Sequence, residues 1–290
     1  MFDGFTASRV DTGDAEIFLR RGGSGPPLLL LHGHPQTHVM WHKVAPRLAE
    51  NFTVVASDLR GYGDSSKPPA TADHMSYSKR TMALDQVRVM DQLGFERFFV
   101  AGHDRGARCA YRLALDHPER VARLAVLDII PTGEALRRIT PEFALSYWHW
   151  FFLAQPGDLP ERLIGANPDK YYFRNREDAS ARFGEEALGE YLRCVRNPAA
   201  IHAMCEDYRA GVTVDFSHDE ADRGKRRIAC PVHVLWAGRD ELGRWFDVLD
   251  VWRKWTRADV TGRALDCGHF LAEEASDATL DELRSFLSSG

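Results

Sequence analysis

The sequence predicts an α/β domain, a mostly parallel sheet with helices on both faces, interrupted by a long helical insertion. Three observations carry this. Short, wholly apolar runs recur where strands buried on both faces are required. Segments with helical spacing separate them. The strand signal then vanishes from about Thr132 to Asp222 and returns at Pro231.

In chain order, Ala15 to Arg20 reads as a strand. Gly22-Gly23-Ser24-Gly25-Pro26-Pro27 breaks the chain, and Leu28 to Leu31 follows as a short, fully buried strand. Phe52 to Ala56 is a second such run, closed by Ser57-Asp58. Ser78 to Leu93 has helical spacing, with Met82, Val89, Met90 and Leu93 apolar and Gly94 as its stop. Arg97 to Ala101 is a strand, Arg105 to Asp116 a helix and Val121 to Leu127 a strand. Beyond the insertion, Pro231 to Ala237 is a strand, Phe246 to Trp255 a helix, Ala258 to Leu265 a strand, and Asp277 to Leu287 a closing amphipathic helix. The sheet domain therefore spans 1–131 and 223–290, and the helical cap spans 132–222. The aromatic content of the cap suits a lid over a site.

Composition bounds the rest. The 290 residues are 44% hydrophobic and 27% charged, enough for one large domain or a core with an insertion. The net charge of −5 comes from 37 basic and 42 acidic residues with no long run of one sign, which argues against a nucleic-acid partner. No apolar run is long enough to span a bilayer, and the opening residues show no signal peptide. The five cysteines, Cys109, Cys194, Cys205, Cys230 and Cys267, are scattered, with no zinc spacing and no disulfide framework. A cytoplasmic protein with reduced thiols, no metal and no cofactor is expected.

The most informative stretch is Phe98-Phe99-Val100-Ala101-Gly102-His103-Asp104-Arg105-Gly106-Ala107-Arg108. An apolar strand enters Gly-His-Asp-Arg-Gly and a helix follows at once, the layout of a nucleophile elbow with Asp104 as the attacking group. Glycines two residues either side let the turn be tight, and the helix N-terminus favours an ionised carboxylate there. His32-Gly33-His34-Pro35 follows the Leu28–Leu31 strand, where a loop can present backbone N–H groups. Cys267-Gly268-His269-Phe270 lies just before the last helix, so the order is nucleophile, acid, late histidine.

At these residues the chain resembles the α/β-hydrolase superfamily over nearly its whole length. The aspartate at the elbow places it with the haloalkane dehalogenases, epoxide hydrolases and haloacid-type dehalogenases, and it is most similar to the fluoroacetate dehalogenases. The matching motifs are Gly-His-Asp-Arg-Gly-Ala-Arg at 102–108, Leu-Asp-Ile-Ile-Pro-Thr at 127–132, Tyr-Trp-His-Trp at 147–150, Asp-Tyr-Arg-Ala-Gly at 207–211 and Gly-His-Phe at 268–270. The resemblance implies an α/β-hydrolase fold, hydrolytic dehalogenation of a small 2-haloacid with fluoroacetate foremost, and a homodimer.

Each residue then has an expected task. Asp104 attacks the halogen-bearing carbon and forms an ester, and His269 takes a proton from the water that hydrolyses it. Two acids at strand ends are candidates to orient His269, Asp128 and Asp240, and the resemblance favours Asp128. Arg105 and Arg108, three apart at a helix start, suit a substrate carboxylate. His149, Trp150 and Tyr208 supply three neutral donors for a departing halide, with the His-Trp pair matching the family. Two features depart from the family pattern. His34 stands where relatives commonly carry an apolar residue, and Tyr171 to Phe183 lacks the expected tryptophan-containing segment. An epoxide hydrolase using the same ester chemistry is the alternative enzyme. A ligand receptor without catalysis would not need Asp104 and His269 together.

Overall fold

A computed structural model describes residues 1–288. Eight strands form one sheet: β1 (Thr6–Asp11), β2 (Glu16–Gly22), β3 (Pro27–Leu31), β4 (Thr53–Ser57), β5 (Phe98–His103), β6 (Val121–Leu127), β7 (Val232–Ala237) and β8 (Val260–Leu265). Their spatial order is β1-β2-β4-β3-β5-β6-β7-β8. The six strands from β4 to β8 are parallel, while β1 and β2 are antiparallel to their neighbours at one edge. This is an α/β-hydrolase fold. The apolar runs explain the parallel part. Leu28 to Leu31 are wholly buried, each contributing roughly 1.5–3 kcal/mol of transfer free energy. They alternate between two cores, Leu29 and Leu31 facing one and Leu28 and Leu30 the other.

β1 was not expected, because it is an edge strand in which only Val10 is buried and so carries no apolar run. Elsewhere boundaries shift by local caps. The helix expected from Ser78 begins at Lys79, since the Ser78 side chain accepts from the Thr81 N–H and is itself the cap. The helix expected from Phe246 begins at Val248, capped by Asp247.

Between β6 and β7 every described element is helical, from Thr132–Leu136 to Phe216–Asp222. The insertion is fastened at its far end by Arg112, whose guanidinium meets Asp116 (3.2 Å), Asp219 (3.0 Å) and Asp222 (2.6 Å). Register places the strand ends together: Leu31 opposite Gly102, His103 opposite Leu127, Leu127 opposite Leu235 and Ala237 opposite Leu265. The loops that leave these ends meet at the carboxyl edge, beneath the insertion. All five cysteines are buried and unpaired. No helix among the described residues is long and apolar enough to cross a membrane.

Candidate active site

Asp104 sits between β5 and the helix Arg105–Asp116 with φ 45° and ψ −115°, a backbone conformation that costs a non-glycine residue of order 1–3 kcal/mol. The neighbouring glycines permit it. A Cβ on Gly102 would lie 2.6 Å from the Gly106 carbonyl oxygen, and one on Gly106 would lie 2.4 Å from that of His32. The side chain is buried, and the His34 backbone N–H donates to Oδ2 at 3.0 Å. Burial pushes the Asp104 carboxyl up, but the electrostatic influence of His269, His103, Arg108 and Arg105 outweighs it and holds the group well below the usual carboxylate range. Asp104 is therefore ionised, oriented and held in strain.

His269 faces it from the loop after β8. Its Nδ1–H donates to Asp128 Oδ2 at 2.6 Å, leaving Nε2 as the free ring nitrogen. Asp128, just beyond β6, has a left-handed backbone (φ 57°), and its Oδ1 accepts the Ala237 N–H at 2.8 Å. Burial lowers the His269 imidazole, yet its hydrogen bond to Asp128 and the charges of Asp128, Asp104 and Asp240 raise it to about 9. Asp240 makes no such bond, although one ligand atom each of Asp128, Asp240 and His269 lie within 4.8 Å of one another. This is the grouping a cation would use, but Asp128 and His269 are already engaged with each other.

Above these residues lies a cavity of about 550 Å³, bounded by Asp104, His269 and His34 from the core and by His149, Trp150, Tyr172 and Tyr208 from the insertion. All three expected halide donors thus share one cavity with Asp104. Burial holds the His149 imidazole down at about 4, so it is neutral at physiological pH. Burial and the Asp104 charge push the Tyr208 phenol well above 10, so its O–H is retained. No described residue accepts from the Trp150 indole N–H or the Tyr208 hydroxyl. His34 also lines the cavity; burial lowers its imidazole to about 3, and its ring packs edge-on against Tyr208 and Tyr172.

Arg105 and Arg108 stand one layer back, outside the residues that bound the cavity. The Arg105 guanidinium lies 4.4 Å from the Tyr208 ring centre and the Arg108 guanidinium 4.5 Å from that of Trp150. Their partners differ. Arg105 is bound to the Asp207 carboxylate through Nε (3.0 Å) and Nη2 (2.5 Å). Arg108, only 3% exposed, donates to the Ile130 carbonyl (3.2 Å) and the Thr132 hydroxyl (2.9 Å), and its Nε has no partner.

Residues 26–276 match the family model for the alpha/beta hydrolase fold. The chain belongs to the α/β-hydrolase family. It is a hydrolase. A fluoroacetate dehalogenase of Burkholderia sp is 48% identical to this α/β hydrolase over 99% of this chain and 95% of the relative. A soluble epoxide hydrolase of Corynebacterium sp. (strain C12) is 34% identical over 91% of each. A structure described as that of an alpha/beta hydrolase from Nostoc sp PCC 7120 superposes with a TM-score of 0.96 at 56% identity, covering all of both chains.

Three residues of this α/β hydrolase that sequence reasoning did not single out belong to the site's support. Asp207, from the insertion, binds Arg105, and Lys79 and Tyr62, from two separate core segments, converge on the same Asp207 carboxylate. Asp207 was within reach of the reading, since it precedes Tyr208 in a motif already quoted. Lys79 was not, because the first residue of a helix is ordinarily a solvated position.

Proposed function

We propose that this hydrolase removes halide from small 2-haloacids, with fluoroacetate to glycolate and fluoride as the foremost reaction. A buried aspartate at the elbow is shared with epoxide hydrolysis. The observation that carries this reading is Arg108, a buried guanidinium four residues after Asp104 whose hydrogen bonds go only to neutral groups. No carboxylate is hydrogen-bonded to it, so its charge adds to the positive field around Asp104 that an anionic haloacid in the cavity would meet.

Asp104 Oδ1 attacks the halogen-bearing carbon, and the carbon–halogen bond breaks with its electron pair leaving as halide. His149, Trp150 and Tyr208 donate to the developing anion. Asp104 is now an ester whose carbonyl oxygen, the former Oδ2, keeps the His34 N–H. Water gives a proton to His269 Nε2 and its oxygen attacks the ester carbon, forming an oxyanion at that N–H. The intermediate collapses by breaking the bond between the Asp104 carboxyl carbon and the ester oxygen, which takes the proton from the His269 imidazolium and leaves as the hydroxyl of the 2-hydroxyacid; the water oxygen stays on Asp104, whose carboxyl loses its proton to solvent. Asp128 fixes the ring and stabilises the imidazolium.

Incubation with fluoroacetate, chloroacetate and styrene oxide, measuring halide and diol, tests this reading. Diol without halide would make it an epoxide hydrolase, for which the free Tyr208 hydroxyl is the supporting observation. Arg108→Leu should remove a charge-assisted contact of about 1.5–3 kcal/mol, or about 10–150-fold in haloacid affinity. Equal turnover of uncharged haloalkanes and haloacids by the wild type would make the arginines purely structural.

The leaving group gives a further expectation. Fluoride leaves with more concentrated charge than chloride and depends more on donors. Trp150→Phe keeps most of the ring and deletes the N–H, so it should slow fluoroacetate more than chloroacetate. Loss of a preorganised donor typically costs roughly 2.7–4 kcal/mol, part of which should appear in the ratio of the two kcat values. A ratio unchanged while both rates fall would reduce Trp150 to a lid-packing residue. Tyr208→Phe is the independent check.

A further inference from the structure

Asp207, on the cap helix Pro198–Ala210, is wholly buried and accepts four donors from the core: Arg105 Nε (3.0 Å) and Nη2 (2.5 Å), the Tyr62 hydroxyl (2.7 Å) and the Lys79 ammonium. Two cations therefore share one carboxylate. The Tyr62 phenol is held well above its ordinary range by burial and by Asp207, so it donates without adding charge. Lys79 is itself buried and lies beside a second acid, Asp215, whose Oδ1 takes the Lys79 backbone N–H at 2.8 Å and whose Oδ2 has no partner. Asp215 reaches this position because the chain leaves the helix through one π turn, Gly211–Asp215. That turn begins with a glycine against Arg105: a Cβ on Gly211 would lie 3.1 Å from Arg105 Nη2 and 3.3 Å from Nη1.

We propose that Lys79 and Gly211 are positioning residues for recognition of the substrate carboxylate, Lys79 by sharing Asp207 so that the cluster around Arg105 is neutral and not negative toward an incoming anion, Gly211 by leaving room for the Arg105 guanidinium. This rests on the haloacid reading above. Were Arg105 the only cation on Asp207, the pair would be neutral toward any further anion, and with Asp215 nearby the balance would turn negative. The Lys79 charge offsets that second acid. One unit charge acting at an effective dielectric constant of about 20 over roughly 10 Å changes anion affinity by about tenfold.

The test compares chloroacetate with chloroacetamide, its uncharged analogue, in wild type, Lys79→Gln, Lys79→Arg and Gly211→Ala. Lys79→Gln keeps a donor to Asp207 and removes the charge. Its KM for chloroacetate should rise about tenfold with kcat largely kept, and the preference for chloroacetate over chloroacetamide should narrow by the same factor. Lys79→Arg should restore the preference. Gly211→Ala fits a helical backbone (φ −56°) and should narrow it without altering any charge. It also decides the matter should Lys79→Gln be recovered unfolded. A residue that merely braces the cap would lower kcat/KM for both substrates equally and leave the ratio alone, which overturns the inference. Failure of the wild type to release halide from either haloacetate or haloacetamide would instead overturn the parent reading. A wild type that prefers chloroacetate, with the preference intact in Lys79→Gln and Gly211→Ala, overturns this inference only.

Discussion

Replacing Asp104 by asparagine should lower halide release by about 10⁴-fold or more, the scale seen when a covalent nucleophile is removed. The substitution is nearly isosteric. The amide oxygen can still accept the His34 N–H, and asparagine tolerates a positive φ at least as well as aspartate does. The fold should persist, with an unaltered circular dichroism spectrum. What is lost is the ionised oxygen. In the native protein the positive surroundings of Asp104 overcome the cost of burial and keep it charged, whereas an amide carries no electron pair of comparable nucleophilicity. Turnover within an order of magnitude of the wild type would sink the assignment, unless mass spectrometry found the Asp104 peptide deamidated back to aspartate. The same variant should also lower the His269 pKa, since one of the carboxylates that raise it has gone.

The parts of this site that were legible in the sequence are those whose geometry is local. The elbow is written in consecutive residues, because a strand, a tight turn between glycines and a helix must follow one another to expose Asp104. The parallel strands were legible for a similar reason: burial on both faces demands uninterrupted apolar runs, as in Leu28–Leu31. β1 was not legible, since an edge strand with one buried side chain has no such demand. Spacing and chain order alone left the choice between Asp128 and Asp240 as hydrogen-bond partner of His269 open, and only the resemblance favoured Asp128, the partner the structure shows. Both follow adjacent strands, and chain order treats them alike. The left-handed backbone at Asp128 and its hydrogen bond from Ala237 aim the first at Nδ1, while Asp240 stays at the cavity wall. Arg105 shows the limit most sharply. Its place in the elbow pointed to a carboxylate, but Asp207, roughly a hundred residues on, is the carboxylate it holds in the structure. Arg108, with no acid on it, was indistinguishable from Arg105 by spacing.

Replacing His269 by alanine should separate the two half-reactions. Attack by Asp104 needs no proton transfer, so single-turnover halide release should continue while the ester persists, visible as a stable mass increment on the peptide containing Asp104. Steady-state turnover should fall by roughly 10²–10⁴-fold, the usual contribution of a positioned general base. On the proposed mechanism, the charge balance lets one histidine serve both stages. In the resting enzyme His269 is held up at about 9 and is an imidazolium at neutral pH, which suits an attacking carboxylate but not a base. Ester formation neutralises Asp104, one of the carboxylates raising it, so the histidine pKa must fall at the moment a base is required. Ester hydrolysis in the wild type should therefore be lost as pH falls, with a midpoint below 9, because the protonated ring cannot accept the water's proton. Ester formation should stay level across the same range, since Asp104 remains ionised well below it. Rapid-quench measurement of both rates between about pH 5 and 9, the window set by the ordinary and raised histidine values, reads the two profiles separately. Hydrolysis independent of pH throughout, or a His269→Ala protein with unchanged mass and no single-turnover halide, would assign the base elsewhere.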